Sequence, residues 1–157
     1  MEIILKRIDE KAIMPTILED GNSFELTCSS MATGHGRDGR LILEYKTGLE
    51  VRIPEGNIGL IVPADNAFGY SLAMTNSIGV ITAGESKEIK AYFKTNTDSI
   101  PAVYEIGEVF ARMIVLPIPA ISLFDATAIV DKSIENDGVV EITEEITSDI
   151  VSDEQSI

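Results

Sequence analysis

The sequence consists largely of short apolar runs, each followed within a few residues by glycine, proline, asparagine or aspartate. Residues 88–94 alternate apolar and polar side chains, which is the period of a strand with one buried face. Pro117 and Pro119 follow the last run, and proline interrupts strand pairing. Many short strands with frequent turns indicate an all-β fold, either an antiparallel sandwich or a barrel. The predicted strands cover residues 2–7, 24–28, 41–45, 49–54, 58–63, 79–82, 88–94 and 108–116.

Two stretches are predicted to lie outside these strands. Residues 29–40 are polar and rich in glycine, which indicates a surface loop, and residues 66–76 have room for one or two helical turns. The simplest interpretation of Cys28 is a small core residue. His35 is interpreted as a solvated side chain, with metal binding through His35, Asp38 and a distant carboxylate as the minor alternative.

The charge balance limits the classes of partner. The 157 residues include 12 Lys and Arg against 26 Asp and Glu, for a net charge of −14. A surface this negative repels phosphate, so we expect neither nucleic acid nor a membrane as a partner. Hydrophobic residues make up 45% of the chain, which is too many for a disordered acidic protein. With no leader-like or membrane-spanning apolar run, the expected location is the cytoplasm or a virus particle assembled there.

Much of the acidity lies at the carboxyl end of the sequence. Residues 131–157 contain nine acids and one base, Lys132, and so carry a net charge of −8. This shift in composition predicts two parts, a β domain over residues 1–130 and an acidic tail over residues 131–157. An apolar stripe in the tail, from Val139 to Ile150, predicts that the tail docks on the domain or on a neighbouring subunit.

The order of strands and turns resembles one known family. The central segment of the trimeric dUTPases is similar to a stretch of this sequence that contains, in order, Thr47-Gly48, Ile53-Pro54-Glu55-Gly56 and Pro63. Gly79-Val80-Ile81 and residues 107–114 match two further family segments in order, and the resemblance covers roughly residues 1–118. It implies a distorted jelly-roll β-barrel that assembles as a homotrimer, with active sites between subunits.

In the first two motifs of the family, this sequence keeps a carboxylate but lacks an arginine. Glu25 stands at an acidic position of the first motif and would help to hold a magnesium–triphosphate, because Mg²⁺ prefers oxygen ligands. The second motif, usually Pro-Arg-Ser-Gly or Pro-Arg-Ser-Ser, reads Pro63-Ala64-Asp65-Asn66 here. A phosphate-binding arginine is therefore absent, and an anion stands beside the expected phosphate site.

The remaining motifs depart further from the family. The carboxylate that activates water is replaced by Thr82, and the tyrosine that packs under the deoxyribose is replaced by Glu85. The glutamine of the fourth motif is Arg112, and the acidic tail occupies the place of the family's glycine-rich arm. By family position, the nucleotide-binding candidates are Glu25, Asn66, Ile81 and Arg112, and Glu25 is also the candidate metal ligand.

The leading interpretation is a non-catalytic homotrimer with no cofactor, acting as a structural or interaction module. Examples are a phage virion decoration protein, or a protein that binds virion or host partners. The alternative is a divergent dUTP diphosphatase or nucleotide pyrophosphatase that uses Mg²⁺ and an activated water. In that alternative Asp65 is the preferred replacement base, and Thr82 and Glu85 are the other catalytic candidates. A third hypothesis retains nucleotide binding without hydrolysis.

Overall fold

The computed structural model describes residues 2–84, 86–96 and 102–126. Its compact unit runs from Met1 to Ala120, and a second unit covers Ile121–Ile157. Almost all of the regular structure in the described residues is β, as the sequence predicted, and a 3-10 helix spans Ala67–Tyr70. The strands are β1 Ile4–Arg7, β2 Ser23–Thr27, β3 Ser30–His35, β4 Leu41–Arg52, β5 Asn57–Pro63, β6 Leu72–Met74, β7 Gly79–Thr82, β8 Ser86–Thr95 and β9 Val109–Pro117.

The strands form two antiparallel sheets. One sheet has the order β1-β4-β8-β6, and β3 pairs with the first half of β4, the part that β1 does not reach. The other sheet has the order β2-β9-β5-β7. Ile89 and Phe93 of β8 are fully buried, and the side chain of Lys90 between them is exposed, as strand alternation requires. Phe110 and Met113 of β9 join the same core, so one hydrophobic core draws on both sheets.

One long strand replaces two predicted ones. Residues 41–45 and 49–54 were predicted separately, but β4 runs through both, with a shift of its register with β8 between Lys46 and Glu50. At this irregularity Gly48 has φ +65°, a left-handed conformation that glycine adopts without steric cost. The Thr47 hydroxyl donates to the Ile89 carbonyl at 2.8 Å, which gives this carbonyl a hydrogen-bond partner where regular strand pairing is interrupted.

The prediction of a loop over residues 29–40 is wrong for its first half. Ser30–His35 form β3, which pairs with β4, and a turn closed by Gly36 N–H to the Arg40 carbonyl at 2.9 Å joins the two strands. Five of the six residues of β3 are exposed, so no apolar alternation marks it in the sequence. Between residues 66 and 76 the structure has the 3-10 helix and then the short strand β6, which was not predicted.

The predicted acidic tail, residues 131–157, lies outside the described residues, as does Glu85. The boundary near residue 130 and the docking of the tail therefore stay predictions. Among the residues that are described, no helix is long and apolar enough to span a membrane. Cys28 is buried in the core as predicted, and burial raises the pKa of its thiol.

Candidate functional site

A pocket of about 190 Å³ opens at one end of the second sheet. Three segments that are far apart in the sequence meet there, namely β2, the turn after β5, and the beginning of β9. Its walls combine two carboxylates, one amide and one guanidinium with small apolar side chains. The lining residues are Glu25, Ala64, Asp65, Asn66, Val109, Ala111 and Arg112.

The strand order explains this convergence. β9 lies between β2 and β5, so both neighbours place their ends beside the beginning of β9. Glu25 is the direct cross-strand partner of Arg112, and Pro63 is the partner of Ala111. Ala64 then donates its N–H to the Phe110 carbonyl at 3.2 Å, which holds the turn carrying Asp65 against β9.

The charges in the pocket partly compensate one another. The Arg112 guanidinium lies 3.4 Å from Asp65 Oδ2, and Glu25 is opposite Arg112 across the strand pair. The Asp65 side chain is 91% exposed and the Arg112 side chain 32%, so the pair is solvated and its net contribution to stability is small. With two carboxylates and one guanidinium, the pocket carries a net charge of −1 when all three are ionised.

An aromatic cluster packs behind the turn that carries Asp65 and Asn66. Tyr104 is buried, and its ring stacks on Tyr70 with 4.1 Å between the ring centroids. Burial raises the pKa of Tyr104 to about 12, so its hydroxyl keeps its proton throughout the neutral range. Burial also raises the pKa of Tyr70, whose hydroxyl faces the Glu108 carboxylate at 3.4 Å.

The start of β2 is fixed by a local turn. The Asp20 carboxylate accepts hydrogen bonds from the backbone N–H groups of Asn22 and Ser23 and from the Ser23 hydroxyl. These bonds, led by that of the Ser23 hydroxyl, hold the pKa of Asp20 below its usual value. The turn directs the chain into β2, which carries Glu25 to the pocket.

The structure places Ile81 and Thr82 away from this pocket, and Glu85 lies outside the described residues. Ile81 of β7 is buried, and Thr82 at the end of β7 is exposed. Thr82 pairs with Ile58, whereas the pocket lies at Pro63, at the opposite end of β5. Five strand residues correspond to roughly 17 Å along the sheet. Within one chain, Thr82 therefore does not reach the pocket.

Three lining residues were not candidates in the sequence, and one of them, Ala64, was noted only as the position of the missing arginine. Val109 and Ala111 counted there only as scaffold matches, although they flank Arg112 closely enough to share its site. The alternative of a metal site at His35 and Asp38 gains no support, since the described part of the chain contains no group of three or more His, Cys, Asp or Glu suited to a metal. A second, mainly apolar pocket of about 290 Å³ lies between β1 and β2, and Leu5 and Phe24 are among its walls.

Comparison with known proteins identifies the fold. No family model matches the chain. A deoxyuridine 5′-triphosphate nucleotidohydrolase of Clostridium kluyveri is 25% identical over 133 residues, covering 83% of this chain and 90% of that protein. The enzyme of the same name from Leifsonia xyli is 30% identical over 73 residues, and there the chain spans about half of the relative's length, 48%.

Solved structures agree with these relatives. A mutant of the dUTPase of Staphylococcus bacteriophage 80alpha, solved with dUpNHpp, superimposes with a TM-score of 0.64 at 18% identity, covering 80% of this chain and 88% of that one. The two-sheet β fold is thus one that these nucleotide hydrolases share. The chain has the dUTPase fold, as its sequence motifs indicated.

The interpretation of the chain as a non-catalytic module is wrong in the light of this comparison. The relatives are named as hydrolases of deoxyuridine triphosphate, and the phage structure holds a dUTP analogue, which points to dUTP hydrolysis. Nothing here supports a pseudoenzyme or a virion decoration protein. The motifs in the sequence show which family residues are missing. They do not show that Arg112, Asn66 and two carboxylates lie together in one open pocket.

Proposed function

We propose that this protein hydrolyses dUTP to dUMP and pyrophosphate, with the triphosphate bound in the pocket between β2, β5 and β9. The observation that carries the proposal is the convergence of Glu25, Asp65, Asn66 and Arg112 on one pocket. These four residues stand at the positions of the first, second and fourth dUTPase motifs. The fold of the chain is that of enzymes named for this reaction.

The donors in the pocket fit a triphosphate that carries a divalent cation. A carboxylate-lined pocket with a net charge of −1 repels a bare triphosphate, whereas Glu25 provides an oxygen ligand of the kind that Mg²⁺ prefers. Bound Mg²⁺ would offset the phosphate charge and polarise the phosphoryl oxygens. Arg112 then binds a phosphate oxygen through its guanidinium, which partly replaces the arginine missing at Ala64.

Asp65 is the residue we propose as the general base. Its side chain is exposed at the rim of the pocket, where a water molecule has access to it. The water oxygen attacks the α-phosphorus while its proton passes to Asp65, and the bond from that phosphorus to the α–β bridging oxygen breaks. Pyrophosphate leaves with the bridging oxygen, and dUMP remains.

We also propose a cytoplasmic homotrimer in which a neighbouring subunit contributes Thr82 and Glu85 to each pocket. In support, Thr82 lies at the far end of β5 from the pocket of its own chain. A ring of three identical subunits brings one end of each chain to the other end of the next. The interface would then supply the side of the site that faces the deoxyribose.

The proposed activity is tested with purified protein, Mg²⁺ and each deoxynucleoside triphosphate, with pyrophosphate release as the readout. We expect release from dUTP at about 1 s⁻¹ or faster, the lower end of typical enzymatic rates. Asp65→Asn should lose at least about a hundredfold in kcat, which is the usual contribution of a general base. Asp38→Asn, an exposed aspartate in the β3–β4 turn, is the matched control. No release above background from any nucleotide would refute the proposal.

A further inference from the structure

A buried hydroxyl touches the rim of the pocket from behind. The Tyr104 hydroxyl donates to Asn66 Oδ1 at 3.4 Å, and Asn66 is a lining residue. Oδ1 of an asparagine only accepts hydrogen bonds, whereas a protonated tyrosine hydroxyl can donate. Oδ1 of Asn66 faces the hydroxyl in this arrangement, so the bond turns that end of the amide inward.

Tyr104 itself has little freedom to move. Its ring stacks on Tyr70 and packs edge-on against Tyr45, with 5.3 Å between the centroids. Its backbone N–H donates to the Tyr45 hydroxyl at 3.2 Å, so ring and main chain are both held. Only 2% of the residue is exposed. Asn66, by contrast, is exposed, and an exposed amide without an anchor rotates freely.

We infer that Tyr104 is a positioning residue of the pocket, which fixes the Asn66 amide so that its Nδ2 donor faces the phosphates of the nucleotide. The inference rests on the proposed function, because it concerns how the same pocket binds the nucleotide. The amide is trigonal, so turning Oδ1 toward Tyr104 turns Nδ2 away from it, toward the open side. The Arg112 guanidinium is already paired with Asp65, so it must rearrange to bind a phosphate. The oriented Asn66 amide is a neutral donor that supplies a phosphate contact without such a rearrangement.

The test uses two variants that remove one hydroxyl each and keep the stacked rings. Tyr104→Phe removes the bond to Asn66, and Tyr70→Phe, the matched control, removes only the bond to Glu108. We expect Tyr104→Phe to raise KM for dUTP about three- to tenfold with kcat nearly unchanged, since one oriented hydrogen bond is lost. Affinity for inorganic tripolyphosphate with Mg²⁺ should fall by the same factor. Tyr70→Phe should leave both near the wild-type values.

A double-mutant cycle separates positioning from a general weakening of the fold. In an Asn66→Ala background, Tyr104→Phe should have no further effect on KM or on tripolyphosphate affinity. Asn66→Asp keeps the bond to Tyr104 but presents a carboxylate oxygen, so it should weaken tripolyphosphate binding more than Asn66→Ala does. An equal loss from Tyr104→Phe with and without the Asn66 amide overturns the inference.

A measurement without ligand keeps this inference distinct from the proposed function. In the free protein, ¹⁵N relaxation of the Asn66 side-chain amide should show restricted picosecond-to-nanosecond motion in the wild type and in Tyr70→Phe, with a heteronuclear NOE close to that of the rigid backbone. In Tyr104→Phe the NOE should fall as the amide begins to rotate about its Cβ–Cγ bond. If the wild-type amide is already as mobile as an unanchored surface amide, or Tyr104→Phe leaves its motion unchanged, the positioning role is refuted. Failure to hydrolyse dUTP, with the NMR result as expected, refutes only the proposed function.

Discussion

At the scale of single residues, Asp65 has two effects on the pocket that pull in opposite directions. It engages Arg112 at 3.4 Å and adds a negative charge where phosphates are to bind. In the proposed reaction it also accepts the proton of the attacking water. The sequence shows aspartate where the phosphate-binding motif usually has serine, which predicts an anion beside the phosphate site and, if the protein is an enzyme, a replacement base. The structure places the carboxylate within reach of the arginine that lines the pocket.

Asp65→Ala separates these two effects. With the carboxylate gone, Arg112 is free to bind anions, and we expect tripolyphosphate without metal to bind about three- to tenfold more tightly. The factor corresponds to the ~1 kcal/mol upper range of an exposed ion pair. The rate of dUTP hydrolysis should fall at the same time, because the base is lost. Isothermal titration calorimetry measures the first effect and pyrophosphate release the second.

Arg112→Ala is the complementary control. It should weaken tripolyphosphate binding, since it removes the guanidinium from the pocket. Unchanged or weaker anion binding in Asp65→Ala would contradict the account of Asp65 as a competitor for Arg112. Unchanged hydrolysis in the same variant would assign the proton transfer to another group.

At the scale of elements, the register shift in β4 is the feature on which the first sheet depends. β4 pairs with β3 along its first half and with β1 along its second, and the shift between Lys46 and Glu50 separates these halves. Gly48 lies within the shift, close to the chain segment that follows β1. A Cβ placed there would lie 2.5 Å from Asp9 Cβ and 3.0 Å from Ser29 Oγ. Only glycine fits both the backbone conformation and the space.

We therefore expect Gly48→Ala to lower the free energy of unfolding by roughly 2–4 kcal/mol, the sum of left-handed strain and a steric clash. Gly39→Ala is the matched control, because Gly39 has φ +76° and no atom lies within 4 Å of the position that its Cβ would take. It should cost only about 1 kcal/mol. Urea denaturation followed by circular dichroism measures both, and equal losses would show that the clash at Gly48 is relieved by movement of Asp9.

At the scale of the whole molecule, two groups of candidate residues lie apart within one chain. The pocket lies at the Pro63 end of β5, and Thr82 lies at the other end, beside Ile58. The trimer proposed above accounts for this separation, because each interface joins the pocket of one subunit to the β7 end of the next. Light scattering should then give a mass of three times the 17.0 kDa chain.

Mixing two inactive variants tests whether sites are shared. Asp65→Asn disables the pocket, and Thr82→Arg is designed to block the β7 side. In randomly mixed trimers of equal amounts, one site in each mixed trimer combines two intact halves, which restores about a quarter of wild-type activity. The measurement is pyrophosphate release after denaturation and joint refolding. No recovery in mixed samples, alongside a trimeric mass, would mean that each site is complete within one chain.

Much of this architecture follows from the sequence alone, because local physics governs it. Strand periodicity and turn residues indicated an all-β fold, and Gly-containing motifs such as Thr47-Gly48 identified the dUTPase scaffold. Glu25, Asp65, Asn66 and Arg112 were also named from the sequence as candidates by family position. β3 was missed because its exposed side chains carry no alternating pattern.

Tertiary structure decided what these residues form together. Because β9 lies in the middle of its sheet, residues 25, 64–66, 109, 111 and 112 meet in one pocket, and Thr82 lies outside it. Strand order is set by long-range pairing, which local patterns do not encode. Likewise, the contact between Tyr104 and Asn66 joins positions 38 residues apart through packing of the core. The sequence by itself determined the fold and the candidate side chains, and the three-dimensional arrangement determined which of them share a site.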